Sequence, residues 1–295
     1  IPDSLLTITD FIRWGASFFK QSGLYFGHGT ATAVDEAAYL VLHTLGLDPD
    51  TSSVYFSSTL TPNEKLALTD IIFRRVEEHI PAAYLTREAW FAGLPFYVDE
   101  RVLVPRSPLA EIIVKQFEDF IDPETVDNIL DLCTGSGCIG IACAYHFPMA
   151  QVDLADISAE ALEVAQINVE RHQLSAHVDV VQSDLFSSLL GKRYDIIVSN
   201  PPYVDAEDMA ALPQEYKAEP SLGLEAGEKG LDLVIPILQQ AAAHLNPGGI
   251  LVVEVGNSEH ALSELFPQVP FFWLEFEHGG QGIFLLTREQ LEEFF

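Results

Sequence analysis

From residue 128 onward, short apolar runs alternate with stretches of helical periodicity, and this alternation admits few folds. The runs at 128–132, 151–155, 178–182, 194–199 and 250–255 have strand length and strand composition. Helical patterns lie between them, over 140–146, after Ser158 with Leu162, Ala165 and Val169 on one face, and over 231–245. Strands linked through helices pair in parallel, and right-handed crossovers put the helices on both faces of the sheet. The end of the chain departs from this pattern. The runs 271–276 and 282–287 are joined through His278-Gly279-Gly280-Gln281, too short for a crossover helix, so this pair must be antiparallel. The expectation is an α/β fold with a mostly parallel seven-stranded sheet ending in an antiparallel hairpin.

The first 88 residues read as helices. Leu5, Ile8, Phe11, Ile12 and Phe19 recur near helical spacing, and Ala38, Val41, Leu42 and Leu45 share a face before Gly46. Thr61-Pro62 opens a third helix with Glu64 as the capping-box acid, Leu66, Ile72, Phe73 and Val76 as apolar positions, and Pro81 as its end. Around Gly93-Leu94-Pro95, aromatic residues from Trp90 to Val98 predict a hairpin, and Ser107-Pro108 starts the next helix. The domain reading is therefore 1–88 helical, for substrate recognition, 89–105 a β-hairpin linker, and 106–295 the α/β catalytic domain.

Two positions on the sheet carry chemistry. The loop Asp131-Leu132-Cys133-Thr134-Gly135-Ser136-Gly137 leaves the first parallel strand and opens a helix, where glycines let a ligand approach the main chain. Asp156, followed by Ile157, ends the second strand 21 residues after Gly135, where a carboxylate can accept from both hydroxyls of a ribose. Asp184-Leu185-Phe186 follows the third strand and can meet an adenine amine and ring face. Gly135-x-Gly137-x-x-Gly140 also matches a dinucleotide fingerprint, so the features downstream must discriminate.

The second position is Ser199-Asn200-Pro201-Pro202-Tyr203, after the fourth strand. An amide nitrogen is a poor nucleophile because its lone pair is delocalised into the carbonyl. The Asn200 side-chain oxygen and the Pro201 carbonyl are two acceptors that can grip two N–H groups and turn that lone pair outward. Pro201 and Pro202 stiffen the turn, and Tyr203 can cover a flat acceptor.

The sheet pattern resembles the class I methyltransferases, and the turn resembles those acting on planar amino groups: adenine, cytosine, guanine or glutamine amide. Leu103-Val104-Pro105-Arg106-Ser107-Pro108, the helical N-terminal segment and Glu219-Pro220-x-Leu222-Gly223-Leu224-x-Ala226-Gly227 are similar to the protein-glutamine N5-methyltransferases over nearly the whole chain. Release-factor enzymes of that family usually carry Pro-Arg-Pro where this chain has Pro105-Arg106-Ser107. Phe26-Gly27-His28-Gly29-Thr30 and Asp35-Glu36-Ala37 resemble the branch that methylates the third protein of the large ribosomal subunit. The resemblance implies S-adenosyl-L-methionine as cofactor, with S-adenosyl-L-homocysteine as product. It places Asp131, Cys133, Thr134, Gly135, Ser136, Gly137, Asp156, Ile157, Asp184, Leu185, Phe186 and Asn200 around the cofactor, and Asn200, Pro201, Pro202 and Tyr203 at the acceptor. Cys133 stands where many relatives have Gly. The alternatives are a release-factor substrate, a nucleic-acid base, a nicotinamide dehydrogenase or a binding module that kept the fold.

Charge separates these classes. Lys plus Arg number 15 against 44 Asp plus Glu, a net charge of −29. A chain that tracks a phosphate backbone needs a basic face. None is apparent, so direct nucleic-acid recognition is not expected, and the acidity suits a basic protein partner. No apolar run is long enough for a membrane span and no signal peptide is visible. Cys133, Cys138 and Cys143 fit no metal spacing, the histidines form no ligand cluster, and a cytoplasmic location is expected.

Overall fold

A computed structural model describes residues 4–277 and 279–295. The first three residues of the N-terminal segment and His278 of the final turn lie outside the described residues. The N-terminal helices are α1 (Ile8–Gln21), α2 (Ala33–Thr44), α3 (Pro62–Glu78) and α4 (Ala82–Thr86). Thr7 and Thr61 close capping boxes with Asp10 and Glu64, and Pro62 occupies the first turn of α3. Leu5, Ile8, Phe11, Phe19, Leu40, Leu68 and Ile72 share one apolar core.

The buried face of α3 differs from expectation. Leu66 and Phe73 are exposed, and the inward positions are Leu68, Ile72 and Arg75. Apolar periodicity cannot find a buried arginine. Arg75 turns inward because Glu36 and Glu215 wait for it. The helix ends at His79 in the left-handed region, and Pro81 instead precedes α4.

The hairpin consists of β1 (Ala89–Phe91) and β2 (Leu94–Phe96), in antiparallel register Ala89↔Phe96. Its turn is Ala92-Gly93, both at positive φ, so Leu94 and Pro95 belong to the second strand rather than to the turn. Phe91 and Phe96 join the core beneath the large sheet, so the hairpin packs as part of the α/β body. The chain continues through α5 (Leu109–Val114), where the Ser107 hydroxyl accepts from Leu109 N–H at 3.1 Å.

The sheet contains β3 (Asn128–Leu132), β4 (Gln151–Asp156), β5 (Val178–Gln182), β6 (Tyr194–Ser199), β7 (Leu245–Glu254), β8 (Phe272–Trp273) and β9 (Ile283–Thr287). Its order is β5-β4-β3-β6-β7-β9-β8. The first five strands in that order pair in parallel, and β9 runs antiparallel to both β7 and β8. The alternation and the closing hairpin expected from the sequence are both present. In the 271–276 run Phe272 and Trp273 pair in register with β9, and Leu274 N–H donates to the Ile283 carbonyl at 2.9 Å. The crossover helices are α6 (Cys138–His146), α7 (Ala159–Arg171) and α9 (Val234–His244), with α8 (Ala206–Ala211), α10 (Glu259–Leu265) and α11 (Arg288–Phe294) completing the chain. Two apolar clusters flank the sheet, one including Ile129, Ile141 and Leu154 and the other Leu130, Ile237 and Leu251. Alternate residues of each strand feed opposite faces. No described helix is long and apolar enough to cross a membrane.

Candidate active site

The parallel strands reverse order between β3 and β6, and ligands bind at such a switch point, outside the strands' carboxyl ends. A cavity of about 1040 Å³ opens there. Cys133, Thr134, Gly135 and Ser136 line it after β3, Asp156 and Ile157 after β4, Asp184 and Leu185 after β5, and Asn200, Pro201, Pro202 and Tyr203 after β6. Residues spread along the chain from Cys133 to Tyr203 thus meet in one concavity because the sheet aligns its strand ends.

Local bonds hold this edge together. The Ser199 hydroxyl donates to the Leu132 carbonyl at 2.6 Å, tying the exits of β3 and β6. Thr134 N–H donates to the Ala155 carbonyl at 3.1 Å. Asp156 accepts from Gly135 N–H and Ser158 N–H, both at 2.9 Å, which aims its carboxylate at the loop and leaves lone pairs free. Burial pushes the Asp156 carboxyl up, against the pull of those N–H groups. Gly135 adopts φ +55°, and no atom lies within 4 Å of where its Cβ would stand. That open cradle beside a fixed carboxylate fits a nucleoside-bearing cofactor such as S-adenosyl-L-methionine.

Three expected cofactor residues stand outside the lining. Asp131 is fully buried behind the loop, where it accepts from the Thr134 hydroxyl and from Gly140 N–H at 2.8 Å. It fixes the loop from below. Its Oδ1 has no hydrogen-bond partner among the described residues, and burial pushes its carboxyl up to about 7. A Cβ on Gly137 would meet Leu154 and Ala165, so Gly137 serves helix packing. Phe186 is buried against His244, rings stacked at 4.6 Å, and of the two neighbours it is Leu185 that lines the cavity. An aromatic next to a strand-end acid reads the same in sequence whether it turns outward or into the core.

Other side chains converge on the site, Asn168 and Glu254 without a local sequence signal, and Arg106, Ser107 and Glu219 from the 103–108 and 219–227 motifs. Asn168, fully buried on α7, donates to the Ser136 carbonyl at 2.8 Å and pairs with the Tyr97 backbone, tying the glycine loop to the hairpin. The Tyr203 hydroxyl donates to Glu254 Oε1 at 2.9 Å, and the Ser107 hydroxyl donates to Glu254 Oε2. Arg106 pairs with Glu219 and lies over the Tyr216 ring at 5.2 Å. The 219–227 motif runs beside the catalytic turn, with Val204 N–H donating to the Leu224 carbonyl at 2.8 Å and Ala226 N–H to the Val204 carbonyl at 3.0 Å.

The Phe26–Thr30 run has a structural role. His28 packs on Tyr216 with ring centroids 4.5 Å apart, and its Nε2 is 3.5 Å from Glu219 Oε2. The Thr30 hydroxyl donates to Glu36, which accepts from Arg75 Nε at 2.7 Å. Arg75 also reaches the Tyr25 carbonyl and Glu215. The helical segment is thereby pinned to the chain that follows the catalytic turn.

Strand order, with the ligand cavity at its reversal, defines a class I methyltransferase fold. Residues 110–215 match the family described as Methyltransferase small domain. Among solved structures, the hMettl16 catalytic domain in complex with a MAT2A 3'UTR hairpin superposes with a TM-score of 0.52 at 20% identity, covering 77% of this chain and 81% of that one. At that identity the likeness concerns the fold alone. Two curated relatives go further. The ribosomal protein uL3 glutamine methyltransferase of Francisella tularensis subsp. tularensis is 47% identical over 100% of this chain and 94% of its own length. That of Neisseria gonorrhoeae is 51% identical over 97% and 96%. The chain belongs to the ribosomal protein uL3 glutamine methyltransferase family, the branch its N-terminal run suggested.

Proposed function

We propose that this chain methylates the side-chain amide nitrogen of a glutamine in ribosomal protein uL3, with S-adenosyl-L-methionine as methyl donor. One observation carries the reading: the Asn200-Pro201-Pro202-Tyr203 turn shares a cavity with Gly135, Asp156 and Asp184, in a chain about half identical to uL3 glutamine methyltransferases. The cofactor supplies an electrophilic methyl group on a sulfonium. Gly135 and Ser136 would hold it through the main chain, Asp156 at the ribose, and Asp184, Ile157 and Leu185 at the adenine.

The chain's own work is on the acceptor. Asn200 and the Pro201 carbonyl take the two amide N–H groups, which turns the nitrogen lone pair out of conjugation and toward the donor. The new N–C bond would replace the donor's S–C bond, and the positive charge gained by the nitrogen would be lost as one N–H proton leaves to water. The prolines hold both acceptors in place beforehand, so no reorganisation is needed during the reaction. The helical segment is the proposed reader of the protein substrate, and the net charge of −29 favours a basic partner. A ribosomal protein as acceptor favours a cytoplasmic setting for the reaction. Mass spectrometry of ribosomal proteins and release factors, from cells with and without this enzyme, tests the reading. The expected loss is one methyl on uL3, and an unchanged uL3 overturns it.

A further inference from the structure

Glu254 ends β7 inside the protein, with 6% of its surface exposed. Burying a carboxylate is unfavourable unless it is paired, and a paired one normally faces a cation. Among the described residues Glu254 forms no salt bridge. Its two oxygens are each taken by a neutral hydroxyl, Oε1 by Tyr203 and Oε2 by Ser107. Arg106, the positive charge that acts on it, is committed to Glu219. A glutamine would fill the same space without the charge, so packing alone does not call for a carboxylate here.

The surroundings are shaped to one ring. Gly256, two residues beyond Glu254, has φ +46°, and a Cβ there would stand 2.5 Å from Tyr203 Cε2. The Tyr203 carbonyl accepts from the Ser258 hydroxyl at 3.0 Å. Backbone, hydroxyl and ring face of Tyr203 are therefore all fixed, and the ring lines the cavity beside Asn200.

We propose that Glu254 is a positioning residue for methyl transfer, acting through the Tyr203 hydroxyl, with Ser107 holding the carboxylate in place. The proposal rests on the reading of Asn200–Tyr203 as the acceptor turn and deepens it. A phenol that donates to a carboxylate carries more electron density on its ring than a free phenol. The acceptor nitrogen becomes positive as the methyl arrives, and an electron-rich ring face attracts positive charge. The carboxylate thus serves twice, by fixing the ring's orientation and by enriching its face where charge develops.

The test is a kinetic double-mutant cycle on the full-length enzyme with uL3 as substrate. Glu254→Gln keeps the shape and removes the charge, and Tyr203→Phe removes the hydroxyl. Each is expected to lower kcat on the order of 10-fold, with cofactor affinity and KM for the protein little changed. The double variant should be no slower than Tyr203→Phe alone, since the carboxylate acts only through the hydroxyl. Multiplicative losses overturn the proposal, and so does a Glu254→Gln enzyme with unchanged kcat. If Glu254→Gln fails to fold, Ser107→Ala takes its place. It should lower kcat in the otherwise wild-type enzyme and not in the Tyr203→Phe background, and equal effects in both overturn the proposal. Asn200→Ala separates the two levels, because wild-type turnover in that variant removes the acceptor-turn reading itself.

Discussion

Arg106 and Glu219 meet as a two-pronged pair, Nη1 to Oε1 at 2.6 Å and Nη2 to Oε2 at 2.7 Å, and the Glu219 side chain has no exposed surface. Burial alone would push that carboxyl up. Hydrogen bonds from Arg106 and its charge, with the His28 ring 3.5 Å away, reverse the effect and hold it down at about 2. Arg106→Ala leaves a buried carboxylate without its cation and should destabilise the fold by about 3 kcal/mol. Because the folded value lies below the ordinary 4.5, the pair's stabilisation is complete above that pH and is lost as pH falls toward about 2. Denaturation midpoints measured across the acid range should show this slope in the wild type and a shallower one in Arg106→Ala. Parallel curves would contradict the assignment.

Asp131 has the opposite sign. Its folded value of about 7 lies above the ordinary 3.8, so its favourable contribution is complete below 3.8 and is lost as pH rises through about 7. Asp131→Asn keeps an oxygen for Thr134 and Gly140 and removes the titration. The variant should lose less stability than the wild type between pH ~5 and pH ~8. An unaltered pH dependence would mean that Asp131 is not the group responsible.

Asp156→Ala should weaken S-adenosyl-L-methionine binding by roughly 1–3 kcal/mol, since ribose hydroxyls lose an acceptor. It also frees the Gly135 and Ser158 N–H groups, so the loss should be larger than for Asp184→Ala. Calorimetry decides, and equal affinity in the wild type and Asp156→Ala would remove Asp156 from the cofactor site.

Salt should slow methylation of uL3 at fixed cofactor saturation, because opposite net charges speed encounter and ions screen them. Kinetics across a salt series, with cofactor affinity measured in parallel, checks this. A rate independent of salt would leave the −29 charge to solubility alone. Excising the helical segment is a poor test of recognition, since Glu215 and Glu219 would lose Arg75 and His28.

What could be read from the sequence follows the range of the interactions. The Thr61-Pro62-Glu64 cap, the strand limits at 128–132, 178–182 and 194–199, and the Ser158 cap depend on neighbours in the chain, and all stand as expected. Asp156 and Asn200 are legible as strand-end residues, and both line the cavity at that edge of the sheet. Arg75 inside α3, Asn168 under the glycine loop, and Glu254 beneath Tyr203 were not visible. Each is polar, each is buried, and each is satisfied by partners dozens of residues away. Phe186 and Asp131 lie outside the cavity lining for a related reason: spacing puts a residue at the strand end but does not say which way its side chain turns.

Asn200 carries the central claim, and purified components test it most directly. The enzyme, S-adenosyl-L-methionine and unmodified uL3 are incubated, and the product is mapped by fragmentation mass spectrometry. The account predicts one added methyl on the side-chain amide of a single glutamine, formed on the order of 10² more slowly or worse by Asn200→Ala at saturating cofactor. Methyl transfer to any other kind of side chain, or an Asn200→Ala enzyme with wild-type turnover, would contradict it.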